Sequence, residues 1–166
     1  MTAPKPKQVY DNPDAYWDFV TVTTDVNFEG QHFDRKEAGR LEADGTTHNA
    51  KLSGARDQIM ECVSAFANAT GGLLVLGVSN TGVVAGLKHL NEAQLNSMLK
   101  LDRLVHHGCQ VRLHDIVNAQ GAPDRVALFL IPAGDGPIAK PCTRRLKPGS
   151  AKAFRISRCP MLPATV

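Results

Sequence analysis

The chain has 166 residues, of which 43% are hydrophobic and 21% charged, a composition typical of one globular domain with a substantial core. All its apolar runs fall short of the ~20 residues needed to cross a bilayer. The N-terminal MTAPKPKQ also lacks the apolar segment of a secretory signal. Four cysteines, at positions 62, 109, 142 and 159, form no CxxC pair, which is typical of reduced thiols. These features predict a cytoplasmic protein without membrane contact.

The charge distribution is uneven along the chain. Residues 1–135 carry 16 acidic and 12 basic side chains, whereas the stretch after Gly136 has no Asp or Glu. The seven basic residues of that stretch are Lys140, Arg144, Arg145, Lys147, Lys152, Arg155 and Arg158. Such a concentration favours an anionic partner, although a solvated C-terminal segment would have the same composition.

The first half of the chain contains one clear helix. Residues 1–15, with three prolines, are expected to form a flexible leader. Partial alternation of β-branched residues predicts a strand at Trp17–Thr24, and a second strand is expected near His32–Lys36. The polar segment Glu37–Asn49 is typical of a loop. Apolar residues at helical spacing then predict a helix over Lys51–Asn68, with Ser53 as a candidate N-cap.

The second half predicts a sheet interrupted by one more helix. The continuously apolar Leu73–Val78 is typical of a strand covered on both faces. The elements expected after it are a returning strand at Val83–Leu87, a helix from Asn91 or Glu92 to about His106, a hairpin of Gln110–Val117 and Arg125–Ile131, and a short strand at Ala153–Ser157.

This order of elements predicts an α+β fold, in which two main helices pack on a mixed β-sheet. The expected domain covers residues 16–160, between the leader and a short tail over residues 161–166. A sheet of this kind leaves an open edge, which a second copy of the chain often covers. We therefore expect a homodimer, with the hairpin strands as candidates for the shared edge.

One motif resembles a known family. Residues 64–82 read SAFANATGGLLVLGVSNTG and are followed by VVAGL, which is similar to the Schlafen AlbA domain: S-A-F-A-N-[TS]-x-G-G, an apolar strand, then G-[VI]-x-[DN]-x-G. Upstream, Phe33–Lys36 (FDRK) resembles the family's E-F-K element, with Glu29 at the place of an earlier acid. Downstream, Lys140-Pro141 and Ala153–Ser157 resemble its P-[YH] and Y-x-R-x-G elements. The resemblance spans about residues 20–160.

The resemblance implies nucleic-acid binding, within a transcriptional regulator or a related stress-response protein. In vertebrate Schlafen proteins a paired arrangement of this fold also cleaves RNA, with three acids holding divalent metal. The corresponding positions here are Glu29, Asp34 and Ser79/Asn80, and the third is not acidic. Since Mg²⁺ and Mn²⁺ prefer carboxylate oxygens, a nuclease with Glu29 and Asp34 as catalytic residues is the weaker alternative. Otherwise no metal or cofactor is expected.

Basic residues are the stronger candidates for a binding site. Guanidinium and ammonium groups beside a sheet can hold phosphates without reading sequence, and the chain has few aromatics for base stacking. The residues expected to bind DNA or RNA are Arg35, Lys36, Lys140, Arg144, Arg145, Lys147, Arg155 and Arg158. The alternative is a protein-interaction or oligomerisation domain without a nucleic-acid role.

Overall fold

The computed structural model describes residues 3–23, 28, 30, 32–38, 49–100 and 108–137. The helices are α1 (Pro6–Asp11), a 3₁₀ turn (Pro13–Tyr16), α2 (Trp17–Val22), α3 (Asn49–Asn68) and α4 (Glu92–Leu99). The strands are β1 (Phe33–Lys36), β2 (Gly72–Leu76), β3 (Gln110–Val117) and β4 (Pro123–Ile131). Within these ranges, none of the helices has the length and apolar character that a membrane span requires.

The four strands form one mixed sheet in the order β1-β2-β4-β3. β1 runs parallel to β2, while β4 is antiparallel to both of its neighbours, β2 and β3. Every residue of β2 is buried, and the strand lies between β1 and β4. The predicted α+β fold with a central, doubly covered strand is therefore confirmed, although the regular strand ends at Leu76.

The sheet has a core on each side, because successive residues of a strand point to opposite faces. Leu74 and Phe129 belong to the core formed with α3 and α4, which we call the α3 face. Leu73 and Leu128 belong to the core formed with Val9, Val20 and other residues of the N-terminal segment, which we call the N-terminal face. The fold thus has three layers, with the sheet in the middle.

Helix α3 confirms the clearest prediction, although it begins at Asn49 rather than at Lys51. Ser53 lies exposed within the helix, so its interpretation as the N-cap is wrong. At the other end, Gly71 has a φ of 81° and donates its N–H to the Phe66 carbonyl at 2.9 Å. A Cβ at Gly71 would lie 2.6 Å from the Ile131 carbonyl, so only glycine fits where the chain turns from α3 into β2.

The predicted strand at Trp17–Thr24 is wrong, because Trp17–Val22 forms helix α2. Its apolar residues follow a helical as well as an alternating pattern, and burial of Val20 against the sheet selects the helix. The Thr21 hydroxyl donates to the carbonyl of Trp17, four residues earlier, at 2.9 Å, as β-branched polar residues do within helices. The segment expected to be a flexible leader carries α1, and Val9 in it is fully buried.

The returning strand predicted at Val83–Leu87 is also wrong. Only one bridge, between Val78 and Val84, joins this segment to the chain before the turn. The N–H groups of Ala85 and Gly86 both donate to the Gly77 carbonyl, and that of Leu87 donates to the Asp124 carboxylate. The Ala85 bond belongs to the Val78–Val84 bridge itself, but the Gly86 and Leu87 N–H groups are engaged outside a ladder, which therefore does not continue.

The second predicted helix is confirmed at its start but not at its end. Helix α4 begins at Glu92, where Asn91 caps it by accepting the Gln94 N–H at 2.8 Å, and it ends at Leu99, before the predicted end near His106. Residues 101–107 and the strand predicted at Ala153–Ser157 lie outside the described part. The hairpin β3–β4 is present. β3 lies at the edge of the four-stranded sheet, whereas β4 is an inner strand. The domain limits stay a prediction.

Candidate functional site

Strand β1 carries four consecutive residues of the resemblance, and it divides them between two faces. Phe33 and Arg35 are buried on the N-terminal face, and Asp34 and Lys36 lie half-buried on the α3 face. Asp34 and Lys36 form an ion pair of 2.9 Å between Oδ1 and Nζ, with side-chain exposures of 18% and 22%. The predicted phosphate ligand Lys36 therefore already has an internal anionic partner.

A shallow cleft opens beside this ion pair, between β1 and α3. Its volume is about 330 Å³. Its lining consists of Gly30, Phe33, Asp34, Lys36, Cys62, Ala65 and Phe66. The cleft is mostly apolar, with one carboxylate and one ammonium group at its polar side.

Arg35 does not lie on an exposed basic face, which corrects the expectation that it binds phosphate beside Lys36. Its side chain is fully buried. One guanidinium nitrogen, Nη1, donates to the Val20 carbonyl at 2.8 Å and to the Thr23 carbonyl at 3.1 Å, and Nη2 donates to the Asn80 carbonyl at 2.6 Å. The physical reason is the alternation of the strand, which places Arg35 on the same face as Phe33.

The Ser79–Gly82 turn approaches β1 from the N-terminal face. The Ser79 and Thr81 hydroxyls are 2.9 Å apart, and Ser79 Oγ also accepts the Val83 N–H at 3.0 Å. Asn80 and Thr81 are exposed. Gly82 has a φ of 85°, and a Cβ there would collide with the Thr21 carbonyl at the end of α2. The turn is therefore packed, backbone against backbone, on α2.

Two of the three positions implied for a metal site, Asp34 and Ser79/Asn80, lie in the described part of the chain, and they do not lie together. The Asp34 side chain pairs with Lys36 on the α3 face, whereas the Asn80 carbonyl meets Arg35 on the opposite one. Among residues 3–23, 28, 30, 32–38, 49–100 and 108–137, no three His, Cys, Asp or Glu side chains gather around a common point. Glu29 lies outside these ranges. The described donors thus do not fit a carboxylate-held cation.

The other predicted binding residues lie outside the described part of the chain. They are Lys140, Arg144, Arg145, Lys147, Arg155 and Arg158. Their role as phosphate ligands stays a prediction.

The Asp124 carboxylate accepts several hydrogen bonds, and it fixes the segment after the turn. Its Oδ1 accepts the N–H groups of Leu87 and Lys88 at 3.0 Å each and of Arg125 at 2.7 Å, and its Oδ2 accepts the Asn118 amide at 3.1 Å. Partial burial raises the pKa of Asp124, but the hydrogen bonds outweigh it, that from Arg125 most, and hold the pKa below its ordinary value.

Two residues of β3 also connect the sheet to the N-terminal segment. Arg112 donates to the Tyr10 carbonyl at 3.0 Å, and its guanidinium lies 5.8 Å from the centre of the Tyr10 ring. His114 lies 3.2 Å from the Asp14 carboxylate and makes an edge contact with Trp17. Burial raises the pKa of the Tyr10 phenol above its ordinary value, although the nearby Arg112 acts in the opposite direction.

Sequence reasoning missed the internal roles of Arg35 and Asp124. A signal for Arg35 was present, since Phe33 and Arg35 are two residues apart on one strand and must share a face. No signal existed for Asp124, because its partners Leu87 and Lys88 are distant in sequence and offer backbone rather than side-chain groups.

Comparison with known proteins agrees with the motif. Residues 29–147 match the family described as Schlafen, AlbA_2. The search of curated proteins gave no match. The match begins after α2, so the N-terminal helices precede it, and it includes every strand of the sheet together with α3 and α4. Because it spans well over half of the 166 residues, the chain belongs to the Schlafen AlbA_2 family.

Proposed function

We propose that this domain binds the phosphate backbone of DNA or RNA, as a module of a transcriptional regulator or a related stress-response protein. Membership of the family supports nucleic acid as the class of partner. The observation that carries the proposal is the stretch after Gly136, which contains seven basic residues and no acidic one. Such a stretch attracts phosphates irrespective of base sequence.

Two basic residues in the described part of the chain, Arg35 and Lys36, are less available to an external phosphate. Arg35 is buried on backbone carbonyls, Lys36 is paired with Asp34, and Lys7 is paired with Asp11 at 2.6 Å. Burial of Arg35 and the shielded pairing of Lys36 reduce the attraction of these two cations for an external anion, whereas the Lys7 pair is exposed and has little such effect. We therefore assign phosphate binding mainly to Lys140, Arg144, Arg145, Lys147, Arg155 and Arg158.

A salt titration tests the proposal. Binding of arbitrary single- and double-stranded DNA and RNA oligonucleotides is measured by fluorescence anisotropy between about 50 and 200 mM salt. We expect similar affinities for unrelated sequences and a linear fall of log K with log salt, with a slope of about −0.7 to −0.9 per phosphate contact. Absence of binding to any oligonucleotide at the lowest salt would contradict the proposal.

Self-association is a second candidate, and the edge strand β3 favours it. Leu113 and Val117 on this strand are 37% and 63% exposed, and exposed apolar groups on an edge strand are a common basis of pairing. We propose a homodimer that uses this edge. Light scattering at micromolar concentration is expected to give the dimer mass for the parent and the monomer mass for Leu113→Lys. Val22→Lys, at an exposed valine on α2, is the matched control and is expected to leave the dimer intact.

A further inference from the structure

Arg35 lies where three separate parts of the chain meet: strand β1, the end of α2 and the Ser79–Gly82 turn. Its terminal nitrogens donate to both of the other parts: Nη1 to the Val20 and Thr23 carbonyls and Nη2 to the Asn80 carbonyl. The guanidinium carbon lies 4.4 Å from the centre of the Phe28 ring. The carbonyls at a helix end have no partner within the helix, so a cation at this position both satisfies them and matches the helix dipole.

The geometry of the turn depends on the same contact. The segment after the turn is fixed by the Val78–Val84 bridge and by the N–H bonds of Ala85 and Gly86 to the Gly77 carbonyl. The tip of the turn meets α2 instead, where Gly82 lies directly against the Thr21 carbonyl. One planar guanidinium therefore spans both segments with a fixed fork of donors, a geometry that an ammonium group does not offer.

We propose that Arg35 is a latch, which makes α2 with Thr23 (residues 17–23) and the Ser79–Gly82 turn open and close as one unit. If either segment moves away, a fully buried cation loses hydrogen-bond acceptors, and an incompletely paired buried charge is strongly unfavourable. Opening of one segment consequently favours opening of the other.

Through the latch, helix α2 influences the position of the Ser79–Gly82 turn, which lies within the family match. Residues 17–23 precede the family match at 29–147, whereas Asn80 and Thr81 lie within it, exposed at the turn. Any contact made at the turn is thus transmitted to α2. This inference is independent of nucleic-acid binding, since it concerns only how two segments of the chain are joined.

Amide hydrogen exchange of the full chain, followed by mass spectrometry, tests the latch. In the parent protein, peptides covering residues 17–23 and 79–86 are expected to share one opening free energy and one dependence on denaturant, as members of one cooperative unit do. In Arg35→Met, both peptides are expected to exchange at least about tenfold faster, the scale of one lost hydrogen bond to a charged group. Peptides of the β3–β4 hairpin are expected to change less than about twofold.

Two further variants make the result decisive. Arg35→Lys keeps the charge but not the planar arrangement of donors. It is expected to accelerate amide exchange in the same two peptides by a smaller factor than Arg35→Met does. If Arg35→Met does not fold, Arg35→Lys is the variant that tests the latch. Arg112→Met is the matched control, because Arg112 also reaches the N-terminal segment, through Tyr10, but does not contact the turn. It is expected to affect only residues 6–12. Acceleration of only one of the two peptides, of neither, or of all peptides equally would overturn the latch.

Discussion

The two faces of the sheet are covered in different ways. On the α3 face, the 20-residue helix α3 and helix α4 provide a continuous apolar core. On the N-terminal face, two six-residue helices and a 3₁₀ turn form the cover. This second cover combines apolar burial of Val9 and Val20 with polar contacts from Arg35, Arg112 and His114.

The difference shows that side chains of the sheet can stabilise a short helix that is not stable on its own. Isolated helices of six residues are not stable in water, so α1 and α2 depend on the sheet. The sheet contributes both apolar residues and the donors that satisfy the end of α2. On the α3 face, by contrast, the regular spacing of apolar residues along the helices is the main source of stability.

The largest expected effect compares the two faces directly. Leu73 and Leu74 are adjacent on β2, fully buried, and point to the N-terminal and the α3 face respectively. Changing either to Ala is expected to lower the free energy of unfolding by about 2–5 kcal/mol, since both leave a cavity in a packed core. Urea denaturation measures both. An effect of Leu73→Ala close to zero would show that the N-terminal helices are not part of the folded core.

A smaller effect is expected from a polar contact that involves no large apolar burial. Asp124→Ala leaves the Leu87 and Lys88 N–H groups without their carboxylate, and is expected to cost about 2 kcal/mol at pH 7. Because the pKa of Asp124 is lowered by folding, its contribution is complete above the unfolded pKa of about 3.9 and is lost as the pH falls through the folded pKa.

Denaturation at two pH values checks this sign. The difference in stability between the parent and Asp124→Ala is expected to shrink between pH 7 and pH 3. Asp124→Asn, which keeps the shape and some acceptor capacity, serves as the control and is expected to show a smaller loss at pH 7. An equal difference in stability at both pH values would contradict the conclusion that the ionised carboxylate of Asp124 stabilises the fold.

The smallest expected effect concerns two acidic residues, Asp34 on β1 and Glu29, which precedes it in the sequence. Changing Glu29 and Asp34 together to Ala is expected to leave nucleic-acid affinity unchanged or to improve it slightly, because it removes negative charge and releases Lys36 from its ion pair. The measurement is anisotropy at fixed salt. If the parent cleaves RNA in the presence of Mg²⁺ or Mn²⁺ and this variant does not, the nuclease alternative is correct.

The same contrast explains what the sequence could predict. Spacing of Ile59, Val63 and Phe66 revealed α3, and the continuous apolar run revealed β2, because each pattern reflects burial in a long regular element. The N-terminal face was misread, since six residues of α2 are too few to separate a helical from an alternating pattern.

The site was predictable to a lesser degree. The family motif located β1 and the turn, but burial of Arg35 depends on carbonyls of Val20, Thr23 and Asn80. Contacts between a side chain and distant backbone leave no mark in residue types. The spacing of Phe33 and Arg35 therefore indicated that Arg35 shares a face with Phe33, but not which carbonyls accept from its guanidinium.

The most direct test of the proposed function compares two pairs of basic residues. Arg144→Ala with Arg145→Ala removes two charges from the acid-free stretch, whereas Lys5→Ala with Lys7→Ala removes two exposed charges from the region of α1. The arginine pair is expected to weaken binding to every oligonucleotide and to reduce the salt slope by about one per lost contact; the lysine pair is expected to change neither appreciably. If the arginine variant binds with the parent's affinity and salt slope, the basic stretch does not hold phosphates and the proposal is contradicted.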